Sequence, residues 1–306
     1  MKYRRLGKTD LEVSVVGVGT WQFGGDWGKD FKQVEVDAIL SHAKDLGINL
    51  IDTAECYGPH HLSESFIGDF ISRDKREDWV IASKFGHSWK EKWGHAWSVD
   101  EVRQQLDESL KALQTDYIDL YQFHSGSDED FDNDDLWTML DKQVQAGKIR
   151  NLGISIGSNK NIHQTAQATE RNAKAIQVVY NRLDKAPEEE VFPSCIEQDL
   201  GVLARVPLAS GFLSGKYKPG VQFEDKVRQR REQAEVDEQL KLVEQIKQTE
   251  LPEGVDMAQW ALAWCLQHPA VTCVIPGCKS PEQVEMNAGA ANLDMVPIEH
   301  RSAVVK

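Results

Sequence analysis

Short apolar runs alternate with longer amphipathic stretches along nearly the whole chain. Eight runs read as strands: SVVGVG from Ser14, NLIDTA from Asn49, WVIASK from Trp79, YIDLYQF from Tyr117, IRNLGIS from Ile149, AIQVVY from Ala175, GVLARVP from Gly201 and VTCVIP from Val271. Most are almost continuously apolar, as expected of parallel strands covered on both faces. The stretches between them carry helical spacing. VEVDAILSHAKDLG, from Val34, stops at Gly47, a residue suited to the left-handed turn past a helix end. SVDEVRQQLDESLKAL opens with Ser98 and has Glu101 three residues on, a capping-box pattern. LWTMLDKQVQAGK ends at Gly147, and SPEQVEMNAGAAN places Pro281 directly after a Ser280 cap. Strand then helix, eight times over, predicts a closed (β/α)8 TIM barrel, with an open doubly wound sheet as the competitor.

Two segments break this rhythm. KYRRLGKTDLEV reads as a β-hairpin before the first barrel strand, turning near Gly7 to Asp10. A long polar insertion from Ser214 begins as a loop and becomes a charged helix. Without a repeat or low-complexity linker, residues 1–306 read as a single domain.

Composition narrows the function. A net charge of −14 argues against nucleic acid. No apolar run is long enough for a membrane span. The N-terminal arginines have no apolar region behind them, so a signal peptide is not expected. The cysteines, Cys56, Cys195, Cys265, Cys273 and Cys278, form no Cys-x-x-Cys pair. That predicts reduced thiols, a cytoplasmic protein and no metal site.

In a parallel barrel the site lies at the C-terminal ends of the strands. Those ends carry Asp52 with Tyr57 just beyond, Lys84, His124, Ser155, and Gln177 with Asn181. A phenol is a weak acid at neutral pH, and a neighbouring ammonium lowers its pKa. Lys84 is the candidate ammonium, Asp52 its anchor and Tyr57 the proton donor. His124 is placed to hydrogen-bond a carbonyl oxygen or relay the proton. Such a set suits protonation of an oxygen as a carbonyl becomes an alcohol.

Carbonyl reduction needs a hydride donor. GVGTWQ, Gly17 to Gln22, is a poor dinucleotide fingerprint. Barrels grip phosphates instead with the loops after strands seven and eight and a helix N-terminus. Here these are VPLASGFLSGKY and IPGCKSPEQVEMN. Lys279 and Ser280 begin the last helix, with Gly277, Gln283 and Asn287 in register, a clamp suited to the 2′-phosphate of NADP. Two loops are dense in aromatics, Trp21, Phe23 and Trp27 in one, Phe85, Trp89, Trp93 and Trp97 in the other. They are expected to line a pocket or pack as a lid.

GINLIDTAECYG with Ser63 and Glu64 after it, SLKALQTDYIDLYQFH, and IPGCKSPEQVEMN resemble three signatures of the aldo-keto reductases, almost end to end. The closer likeness is to the bacterial and channel-β-like branch. The resemblance implies a barrel whose bottom is plugged by the hairpin, and NADPH-dependent reduction of aldehydes or ketones. It implies a catalytic tetrad of Asp52, Tyr57, Lys84 and His124. It puts Thr20 and Trp21 near the nicotinamide and Ser155 and Gln177 at its carboxamide, and counts Asp52 among the cofactor-binding residues. Pro207, Leu208, Ser210, Gly211 and Lys216 fall to the pyrophosphate, and Gly277, Lys279, Ser280, Gln283 and Asn287 to the adenosine end. Three positions depart from the family pattern: Ile156 follows Ser155, Arg205 stands where an aromatic often stacks on the nicotinamide, and Met286 precedes Asn287. A guanidinium stacks on flat rings, so Arg205 is expected to substitute. The expected partner is a small carbonyl substrate, the expected state a monomer or weak oligomer. The alternative is a cofactor-sensing regulatory protein like the potassium-channel β subunits; no partner-binding extension is read in the chain. A metal-dependent barrel hydrolase would need clustered ligands on strand ends, and only His124 sits on one.

Overall fold

A computed structural model describes residues 1–88 and 94–297. After an N-terminal hairpin, β1 (Tyr3–Arg5) and β2 (Glu12–Ser14), come the eight strands of the main sheet: β3 (Val18–Gly19), β4 (Leu50–Asp52), β5 (Val80–Phe85), β6 (Ile118–His124), β7 (Ile149–Ser155), β8 (Ala173–Val179), β9 (Gly201–Arg205) and β10 (Cys273–Val274). All pair in parallel, each with its neighbours in sequence. The ring closes through parallel bridges Val16 to Val274 and Gly19 to Gly277. The eight apolar runs therefore hold as strands of a (β/α)8 barrel, although the first and last shrink to two residues each.

The outer layer holds α1 (Gln33–Asp45), α2 (Leu62–Ile71), α3 (Val99–Ala112), α4 (Asp134–Gln145), α5 (Ile162–Ala166), α6 (Val191–Glu197), α7 (Gln233–Thr249), α8 (Met257–Gln267) and α9 (Pro281–Gly289). In α1 the buried positions are Val36, Ile39, Leu40 and Ala43, one helical stripe. Burying each Val, Ile or Leu fully is worth about 1.5–3 kcal/mol. Gly47 and Gly147 follow their helices at φ of 78° and 80°, where a Cβ would be strained. Ser98 and Glu101 form the expected capping box. Ser280 occupies the N-cap of α9, but its side chain makes no cap bond. The charged helix of the insertion is α7. The sequence reading missed α8, because Met257, Ala258, Trp260 to Ala263, Cys265 and Leu266 are buried around most of its circumference and leave no polar stripe.

The hairpin sits under the barrel. Leu6 and Val13 pack with Leu50, Val80, Leu120, Ala175 and Leu203, residues at or near the beginnings of their strands. Gly7 approaches so closely that a Cβ there would lie 2.0 Å from the Gly201 nitrogen. Arg4, 3% exposed, donates to the carbonyls of Val271 (2.7 Å) and Leu266 (3.1 Å), tying the hairpin to the end of α8 and the turn before the last strand.

Candidate active site

The register of the sheet sets the polar strand ends at one level. Asp52 pairs with Gly19, His124 with Ser155, and Ser155 with Gln177. Lys84 lies one position before the end of β5, and its ammonium is wholly buried. Nζ donates to Asp52 Oδ2 at 2.8 Å, to the Thr53 carbonyl at 2.7 Å and to Tyr57 Oη at 3.2 Å, so all its donors are used. Gln177 Nε2 donates to Asp52 Oδ1 at 2.6 Å, which fixes both oxygens of that carboxylate. The four residues of the expected tetrad do converge: the Tyr57 and His124 rings meet edge to face, centroids 6.2 Å apart.

The electrostatics correct one expectation. Burial works against the Lys84 ammonium, but Asp52 and Tyr57 outweigh it and hold its pKa above the ordinary lysine value. Tyr57 was expected to be drawn toward ionisation. Burial dominates instead and pushes the phenol up to about 12, Lys84 recovering only part of the shift. Tyr57 is therefore a protonated phenol at neutral pH. Burial, with Lys84, His87 and Arg205 nearby, holds His124 well below the usual histidine value, so its imidazole is neutral.

Above this set opens a cleft of about 350 Å³, within the range of small-molecule sites. Of the residues expected at a cofactor, Thr20, Trp21, Asp52, Gln177, Arg205, Pro207, Leu208, Ser210, Gly211, Lys216, Gly277, Lys279, Gln283 and Asn287 line it. Ser155 and Ser280 are not in the lining. Ser155 is buried and turns its hydroxyl to Gln177 Oε1 at 3.5 Å, and Ser280 is engaged by Glu282. Arg205 reaches the cleft and donates to the Ile156 carbonyl at 3.1 Å. Met286 lines the wall. Asn181 is structural: its amide donates to the Val206 carbonyl and its oxygen accepts from the Leu183 and Asp184 N–H groups.

The aromatic loops divide. Trp21 and Trp27 line the cleft, and Trp21 stacks on Tyr57 with centroids 6.1 Å apart. Phe23, Phe85 and Trp97 instead belong to the core, the last two packed with Phe123. Trp89 and Trp93 lie outside the described residues.

The sequence reading missed Gln22, Tyr217 and Arg228 in the lining. Arg228 comes from the polar insertion and had no positional signal. Its guanidinium is held by Asp225 at 2.7 Å and lies over Phe223, with Trp27 and Tyr217 alongside. Lys279 Nζ donates to the Trp27 carbonyl at 2.6 Å, and Lys29 Nζ to the Lys279 carbonyl at 3.0 Å. The loops after β3 and β10 are thus strapped together at the edge of the cleft.

The cleft has two chemically distinct regions. Lys216, Arg228 and Lys279 contribute cations, and Asp52, Tyr57 and His124 form the proton-handling floor. Three of its polar groups, Gln22 Oε1, Trp27 Nε1 and Arg205 Nε, are buried without a hydrogen-bond partner among the described residues. Unpaired buried groups of this kind fit a polar, anionic ligand such as a nicotinamide dinucleotide. No helix among the described residues is long and apolar enough to cross a membrane.

Comparison with known proteins agrees with this geometry. The aldo/keto reductase family model matches residues 15–303. The chain is 33% identical to the uncharacterized oxidoreductase YqkF of Bacillus subtilis, over 95% of this chain and 92% of that protein. It is 32% identical to the NADH-specific methylglyoxal reductase of Escherichia coli, over 96% and 95%. Among solved structures it resembles the holo form of aldo-keto reductase AKR11C1 from Bacillus halodurans, with a TM-score of 0.80, 32% identity, and 98% and 94% of the two chains covered. The chain belongs to the aldo-keto reductase family of oxidoreductases.

Proposed function

We propose that this protein is an NADPH-dependent carbonyl reductase in which Tyr57 is the general acid. The observation that carries the reading is the saturated Lys84 ammonium, joined at once to Asp52 and to the Tyr57 hydroxyl beneath an open cleft. The bound nicotinamide supplies the hydride. His124, neutral, donates to the carbonyl oxygen and orients it. Tyr57 holds its proton at Oη until negative charge develops on that oxygen, then gives it up. The phenolate left behind sits 3.2 Å from an ammonium that Asp52 keeps charged. Lys84 thus acts chiefly on the charge formed after transfer, since burial keeps the resting phenol protonated.

The cations Lys279 and Arg228 support a preference for the 2′-phosphate of NADPH, and Gln177 on the floor suits the carboxamide. The five buried, unpaired cysteines support a reducing, cytoplasmic setting. The test is oxidation of NADPH and NADH, in separate assays, against short aldehydes, aldoses and ketones, beside Tyr57→Phe. Turnover with NADPH that vanishes in the variant supports the proposal; equal rates in both proteins remove the acid role.

A further inference from the structure

The loop after β4 and the end of β6 bring together a second group of side chains. One ligand atom from each of Glu55, Cys56 and His124 lies within 4.8 Å of the other two. Cys56 Sγ and His124 Nδ1 are 3.8 Å apart. On a tetrahedral zinc with ordinary Zn–S and Zn–N bonds, sulfur and nitrogen sit roughly 3.6 Å apart, so the pair is already spaced for a shared ion.

Glu55 supplies the independent observation. Its side chain is 3% exposed, and Oε1 accepts the His87 N–H at 3.0 Å. Oε2 is buried with no hydrogen-bond partner among the described residues. A buried carboxyl oxygen without a partner is costly unless something binds there. We propose that Glu55, Cys56 and His124 form a binding site for a borderline-soft divalent cation such as zinc, its fourth position open to water.

The ligand chemistry is consistent. Thiolate, imidazole and carboxylate are the donor types zinc takes. His124 is already neutral, the ligating form. Cys56 and the Glu55 carboxyl release their protons to solvent as the ion binds, and no electrons move. Glu64 adds negative charge near both residues, while Lys84 opposes the ion at Cys56 and His61 opposes it at Glu55. His124 lines the cleft, which gives the ion a route in. Zinc on Nδ1 leaves the remaining ring proton on Nε2.

The experiment is calorimetric titration of zinc chloride into the cofactor-free full chain, in chelator-free buffer, with cobalt(II) as the spectroscopic probe. One zinc per chain is expected, with affinity about ten-fold weaker or worse in Cys56→Ala and in Glu55→Gln. Cys195→Ala, a buried cysteine elsewhere in the core, is expected to bind as the parent does. Cobalt is expected to show a thiolate charge-transfer band that Cys56→Ala abolishes. If Cys56→Ala does not fold, Glu55→Gln and the cobalt band of the parent decide. Absence of stoichiometric uptake, or full uptake in both variants, overturns the site. No readout uses turnover, so a chain without reductase activity that still takes one zinc sinks the proposed function and leaves this site standing.

Discussion

Lys84 Nζ donates to Tyr57 Oη across 3.2 Å while holding an ion pair with Asp52 at 2.8 Å, all of it buried. The phenol therefore lies beside a fixed positive charge before any substrate arrives. Tyr57→Phe keeps the ring and removes the transferable proton. Turnover is expected to fall about 10²–10⁴-fold, with NADPH affinity within about two-fold of the parent by quenching of tryptophan fluorescence.

Asp52→Asn removes the charge that compensates Lys84. Breaking a buried pair from one side costs about 3–5 kcal/mol, so the denaturation midpoint should drop together with activity. The folded Lys84 pKa is raised above its unfolded value. Its stabilising contribution is complete below the ordinary lysine pKa and fades only as pH climbs through the raised one. In Asp52→Asn burial is left to lower the Lys84 pKa, so the deficit should be largest near pH 6 and shrink toward pH 9 in urea titrations. A deficit that grows with pH across this range would contradict the pairing.

Glu55 titrates in the opposite sense to an ion-paired carboxylate. Burial, reinforced by Glu64, raises it from 4.5 to about 8. The native state then retains a proton that the unfolded chain has already lost, and stability declines as pH rises across that window. At 1.36 kcal/mol per pKa unit the loss is bounded at about 5 kcal/mol. Glu55→Gln cannot ionise, so its melting temperature should exceed the parent's at pH 8.5 and converge with it near pH 5. Parallel curves in differential scanning calorimetry would rule out a buried, protonated Glu55.

Lys279→Ala cuts the strap to the Trp27 carbonyl and removes a cation from the cleft. KM for NADPH should rise about ten-fold or more, since charge-assisted bonds contribute about 1.5–3 kcal/mol. KM for NADH should move much less. Equal increases for both cofactors would assign Lys279 to the strap alone.

Arg205 lies in the cleft wall with its guanidinium anchored on the Ile156 carbonyl. If its plane stacks on the nicotinamide, Arg205→Ala weakens NADPH binding and Arg205→Lys does not restore it, because an ammonium lacks the flat face. The dissociation constants of the three proteins provide the check; unchanged affinity in Arg205→Ala removes the stacking role.

The barrel was legible because most of its parallel strands are nearly continuous in apolar residues and several of the intervening helices carry their own cap or stop signals, Ser98 with Glu101, Gly47 and Gly147 among them. The convergence of the expected tetrad was legible because topology alone puts Asp52, Lys84 and His124 on consecutive strand ends. The resting state of Tyr57 was not, since its pKa depends on how deeply it is buried, and sequence gives proximity to Lys84 without burial. Arg228 was hidden for another reason. It reaches the cleft from an insertion whose path is fixed by Asp225 and by packing on Phe223, neither of which sequence spacing marks. Glu55 and Cys56 read as loop residues beside Tyr57, and only their convergence with His124 distinguishes them.

The closure of the ring has a consequence for biogenesis. Arg4 reaches the Val271 carbonyl across 267 positions of sequence, and Val16 is bridged to Val274. As the polypeptide leaves the ribosome, the early strands must wait with an open flank until the last strand emerges. Nascent chains are therefore most vulnerable to sticking to one another through most of translation. The flank of β3 is thus the edge that synthesis leaves open longest.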